Sequence, residues 1–158
     1  MKSKIELRPL HCVYFIYYSF STTTDKNIQE SEVNHIITYL TEWTKDANTS
    51  RAIIKETLSW VKETNPSKED TINIMCSMVD FINDQNVFST LQKEFLLLHI
   101  RQIARSDGDF SEEEKKYHDL LAYRFGISLR VSSCSSVEIK EDAKKVERKK
   151  IGFRISRA

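Results

Sequence analysis

The chain has 158 residues, of which 40% are hydrophobic, and its 24 basic side chains nearly balance 23 acidic ones. That length fits one domain, or one domain with a tail, and eight Phe, six Tyr and two Trp supply enough apolar material for a core without metal or disulfide staples. Near-neutral charge excludes a global field for nucleic acid or acidic lipid, and Cys12, Cys76 and Cys134 lie too far apart for a disulfide framework or zinc ribbon.

The amino terminus sets Lys2, Lys4 and Arg8 before an apolar run, Cys12 to Tyr18. Ser19 to Thr22 makes a poor signal-peptide cleavage site, and three tyrosines in so short a run suit a protein core. No stretch approaches the roughly 18 apolar residues of a membrane span. The expected protein is soluble and cytoplasmic.

Breakers are rare: glycine occurs only at 108, 126 and 152, and proline only at 9 and 66. Long helices follow from that scarcity. Val33, Ile36, Ile37, Leu40 and Trp43 repeat as one helical face, as do Ile53, Ile54, Leu58 and Val61. Ile72, Met75, Cys76, Val79 and Ile82 form a third stripe, and Phe88, Leu91, Phe95 and Leu98 a fourth. Ser67 with Asp70, Ser89 with Gln92 and Ser111 with Glu114 have the spacing of helix-start capping boxes. Helices are predicted near 9–21, 29–46, 51–64, 67–84, 88–106 and 111–125. The fold class is all-α, a bundle of about six or seven helices.

Beyond Gly126 the character changes. Val131 to Ser136 is a polar connector, and residues 138–157 carry eight Lys or Arg against four Asp or Glu. A short helix near 137–149 finds no convincing apolar stripe. The chain therefore divides into a helical domain, 1–128, and a connector with basic tail, 129–158.

At an offset of 82 the chain aligns with itself: Asp25 to Glu32 sets against Asp107 to Glu114, with three identities in eight. Each segment follows an apolar helix and precedes an amphipathic one, giving two helix–acidic loop–helix units. A structural role accounts for most of the second copy. Gly108 can terminate a helix, Ser111 and Glu114 form a capping box, and Glu112 and Glu113 complement the helix dipole. A functional role is the competing explanation for Asp25, Asp107 and Asp109, because clustered carboxylates are hard oxygen ligands for a divalent cation. An EF-hand is excluded, since its twelfth position falls on His118 and its sixth on Glu112. A looser site converging from Asp25, Glu32, Asp107, Asp109 and Glu114 remains open, for Ca, Mg, Mn or Zn.

Residues Phe95 to Glu114, closing with Leu120 to Ile127, resemble the TerB-like family. This family includes bacterial tellurite-resistance proteins and the amino-terminal domain of a membrane co-chaperone. Its pattern is an apolar helix ending Ala-x-x-Asp-Gly, an apolar residue, Ser or Thr, two residues, Glu, and a helix closing on Gly. Ala104, Asp107, Gly108, Phe110, Ser111, Glu114 and Gly126 occupy those positions, and Asp25, Ile28 and Glu32 stand for a degenerate first copy. In the first copy Lys26 replaces the glycine and Gln29 the capping residue. The resemblance implies a seven-helix, pseudo-symmetric fold and a non-catalytic binding or scaffold module of a bacterial stress response. It also implies a protein partner, a place peripheral to the inner membrane, and divalent-ion binding at Asp107, Asp109 and Glu114.

Catalysis finds little support. There is no Gly-rich phosphate loop, G-x-S-x-G elbow or H-E-x-x-H. An Asp107–Glu114–His118 set can be drawn, but a solvated His118 is the simpler expectation. The alternative function rests on the tail, where Lys144, Lys145, Arg148, Lys149 and Lys150 could dock to anionic lipid or nucleic acid while the acidic loops serve only as turns.

Overall fold

A computed structural model describes residues 7–22, 30–106 and 110–147. Among the described residues there are seven helices: α1 Pro9–Thr22, α2 Glu30–Thr44, α3 Ala47–Thr64, α4 Lys68–Gln85, α5 Thr90–Ser106, α6 Glu112–Arg124 and α7 Ser136–Glu147. The all-α class holds, and six of the helices lie within a few residues of their predicted ranges.

Helix starts follow the capping chemistry in the sequence. Pro9 opens α1, where its missing N–H costs nothing. Asp46 caps α3 by accepting from the Thr49 N–H, and Ser67 caps α4 through the Asp70 N–H. At α5 the box is reciprocal: Ser89 Oγ accepts from the Gln92 N–H, and Gln92 Oε1 accepts from the Ser89 N–H. Helix ends use left-handed residues, Asn65 after α3 and Asn86 after α4. After α6 the left-handed residue is Gly126, at φ 78°. Its N–H bonds the Tyr123 carbonyl and the next N–H reaches back to Ala122, a Schellman closure.

Helix α1 is the centre of the bundle and packs against α2, α3, α4 and α5. Val13, Phe15, Ile16, Tyr17 and Phe20 are all fully buried on it. A helix enclosed on every side needs apolar residues all round. That explains the apolar run that superficially resembled a targeting segment. Among the described residues no helix is long and apolar enough to cross a membrane. Helices α2 and α6 begin at Glu30 and Glu112, positions that the self-alignment pairs.

In the carboxy-terminal segment the short helix offered near 137–149 is present as α7, and it is anchored where no convincing apolar stripe was expected. It packs against α6 and α4. Its anchor is minimal: Ile139 and Ala143, one turn apart, are buried against Leu120, Ile72 and Tyr117. Ile139 and Ala143 share one face of a helix in which seven of twelve residues are charged. The connector before it is also tied down, by Asp119 of α6, which accepts from the N–H groups of Val131 and Ser132 at 2.9 Å each. Arg148, Lys149 and Lys150 of the basic tail lie outside the described residues.

Candidate functional site

The acidic-loop candidates are mostly beyond view. Asp25, Asp107 and Asp109 lie outside the described residues, as does the side chain of Glu32 on α2. Glu114 is placed, and it is fully buried. Its Oε1 accepts from the Ser111 N–H at 3.2 Å and from the Ser111 hydroxyl at 3.0 Å, while Ser111 Oγ accepts from the Glu114 N–H at 3.1 Å. Glu114 thus completes a capping box. Among the described residues no group of three or more His, Cys, Asp or Glu side chains is arranged to hold a metal ion.

His118, expected to be solvated, is instead fully buried. Arg101 donates to its Nε2 at 3.0 Å, so Nδ1 carries the proton and donates to Asp119 Oδ1, also at 3.0 Å. Both ring nitrogens are therefore engaged, which leaves no lone pair for a metal. Burial holds the imidazole below its ordinary value; Asp119 opposes that, and Arg101 and Arg105 reinforce it. Burial pushes the Asp119 carboxyl upward, but its bonds from Ser132, His118 and Val131 together bring it below the usual carboxylate value. This chain of groups fastens the connector to α6 and is structural.

A second chain of hydrogen bonds crosses the other side of the bundle and opens at the surface. The Trp43 indole N–H of α2 donates to Tyr17 Oη of α1 at 2.9 Å. Tyr17 shares a 2.6 Å bond with His99 Nδ1 of α5. Since Nε2 of His99 lies 2.8 Å from Glu42 Oε2, the consistent arrangement has Tyr17 donating to Nδ1 and the Nε2 proton held by Glu42. Tyr39 stacks on the His99 ring at 4.6 Å, and Phe95 meets its edge at 5.3 Å.

The chain ends in a groove of about 480 Å³ lined by Glu42, Trp43, Lys45, Gln92, Phe95 and His99. That volume is in the range of small-ligand and side-chain sites. Glu42 is half exposed there, and Phe95 and Leu91 retain 47% and 69% of their surface. Such exposure of large apolar side chains beside an oriented carboxylate makes this groove the candidate site. The larger cleft, about 550 Å³ between the end of α6 and α7, is a poorer candidate. Its Asp119 is committed to the connector, and Arg130 donates to the Cys134 carbonyl.

Chemically, the groove presents the Glu42 carboxylate, the Lys45 amine, the Gln92 amide and the aromatic side chains of Trp43 and Phe95. Tyr17 is fully enclosed, and burial drives its hydroxyl far above the ordinary phenol range. Burial also lowers the His99 imidazole, with Glu42 opposing, so the ring is neutral. Sequence reasoning noted His99 only as a neighbour of the acidic loop. The available signal was a histidine inside the apolar run from Leu96 to Ile100, on a helix opposite the tyrosines of α1. No protein-family model, no curated protein and no solved structure matches the chain.

Proposed function

We propose that the chain is a non-catalytic binding module that recognises a protein partner through the groove between α2 and α5. The observation that carries this reading is the half-exposed Phe95 and Glu42 at the mouth of a groove whose deeper polar groups are already bonded to one another. A rigid, prebonded floor lowers the ordering cost of binding. The sequence resemblance supplies the wider setting, a TerB-like module of a bacterial stress response peripheral to the inner membrane. On that resemblance Asp107, Asp109 and Glu114 form a second contact, for a divalent cation.

The groove is tested by amide NMR against a set of small cationic, anionic, neutral aliphatic and aromatic fragments. Binding fragments should shift Glu42, Trp43, Phe95 and His99 together. Shifts scattered over the surface, or concentrated between α6 and α7, would overturn the assignment.

A further inference from the structure

Any occupant that covers this groove must satisfy the Glu42 carboxylate, because removing a charge from water without a partner is costly. His99 supplies one neutral N–H to Oε2 and no positive charge. An anionic occupant would face the Glu42 carboxylate, with only the exposed Lys45 to oppose it. A purely apolar one would strip water from the carboxylate and return nothing. The rest of the wall favours a cation as well: Trp43 and Phe95 line the groove, and aromatic faces attract ammonium and guanidinium groups.

Resting on the groove as the binding surface, we propose that it receives a lysine or arginine side chain of a partner protein, with the cationic head on Glu42 and the aliphatic stem along Phe95. Exposed Leu91, one turn before Phe95, extends the apolar surface for a residue beside the cation. Lys45 also lines the groove, so the wall carries one cationic side chain beside the Glu42 carboxylate. Lys45 stands at the end of α2, exposed and on a long stem that can swing aside.

The test is NMR titration with N-acetyl-lysine methylamide, N-acetyl-arginine methylamide, the neutral isostere N-acetyl-norleucine methylamide and N-acetyl-glutamate methylamide. The two cations should shift the Trp43 indole and the His99 and Phe95 amides at millimolar concentration, at least fivefold more tightly than norleucine. Glu42→Gln should weaken the cations about tenfold while sparing norleucine, and Phe95→Leu should weaken cations and norleucine alike, because both carry the stem that lies along Phe95. Lys45→Ala should leave cation binding equal or tighter. Equal binding of norleucine, or unchanged cation binding in Glu42→Gln, overturns the cation assignment and leaves the groove as a recognition surface. Failure of every class of fragment to reach the groove removes the surface itself.

Discussion

Tyr17 and His99 stand 82 residues apart and share a 2.6 Å hydrogen bond that joins α1 to α5. The same tyrosine oxygen accepts the Trp43 indole N–H from α2, so three helices meet at one hydroxyl. The pair occupies matching positions in the self-alignment, on the two apolar helices that precede the acidic segments. It also fixes the tautomer of His99 and thereby the orientation of Glu42 at the groove.

Removing that hydroxyl leaves two groups without a partner. Tyr17→Phe should destabilise the protein by about 2–4 kcal/mol, the cost of an orphaned indole N–H and an orphaned imidazole nitrogen. Urea unfolding followed by tryptophan fluorescence measures this. A change below about 0.5 kcal/mol would mean that the hydroxyl does not join the three helices.

Stability should depend on pH through the buried imidazoles. His11, His99 and His118 are each held below 6.5, chiefly by burial. In the folded protein they stay neutral where the unfolded chain takes up protons, so the unfolded state binds more protons below about 6.5. Stability is therefore lost as pH falls through that value and recovered as it rises. The melting temperature should drop between pH 7.5 and 5.0; a flat or rising profile contradicts the assignment.

The carboxy-terminal helix should detach as a unit. Asp119→Ala removes the acceptor for the Val131 and Ser132 N–H groups, and Ile139→Ala, at about 2–4 kcal/mol, removes the main apolar anchor of α7. Hydrogen exchange should accelerate at 131–145 in either variant while α1 and α4 keep their protection. Uniform loss of protection would make α7 part of the global core.

The acidic residues before α6 separate two roles by titration. Ca²⁺, Mn²⁺ or Zn²⁺ at millimolar concentration should shift amides at 110–115, and Asp107→Asn/Asp109→Asn should abolish the shift. No response in the parent protein leaves Glu114 with its capping role alone, where Ser111→Ala would still cost about 1 kcal/mol.

Helices and caps were legible in the sequence because they depend on local chemistry. Ser89 with Gln92 and Ser111 with Glu114 announce their helices within four residues. Helix α7 was harder to read because its anchoring depends on what Ile139 and Ala143 meet on α4 and α6. The groove was invisible for a similar reason. Glu42, His99 and Tyr17 come from three helices, and no spacing rule links a glutamate on α2 to a histidine on α5. His118 shows the same limit: nothing within its own helix reveals that Arg101 and the connector enclose it.

The most direct test of the account is an NMR map of the lysine derivative against its norleucine isostere on the parent protein and on Glu42→Gln. The account predicts shifts at Trp43, Phe95 and His99 for the cation in the parent, reduced about tenfold in affinity by the substitution. Shifts elsewhere on the bundle, with Trp43, Phe95 and His99 unmoved by every fragment, would contradict it.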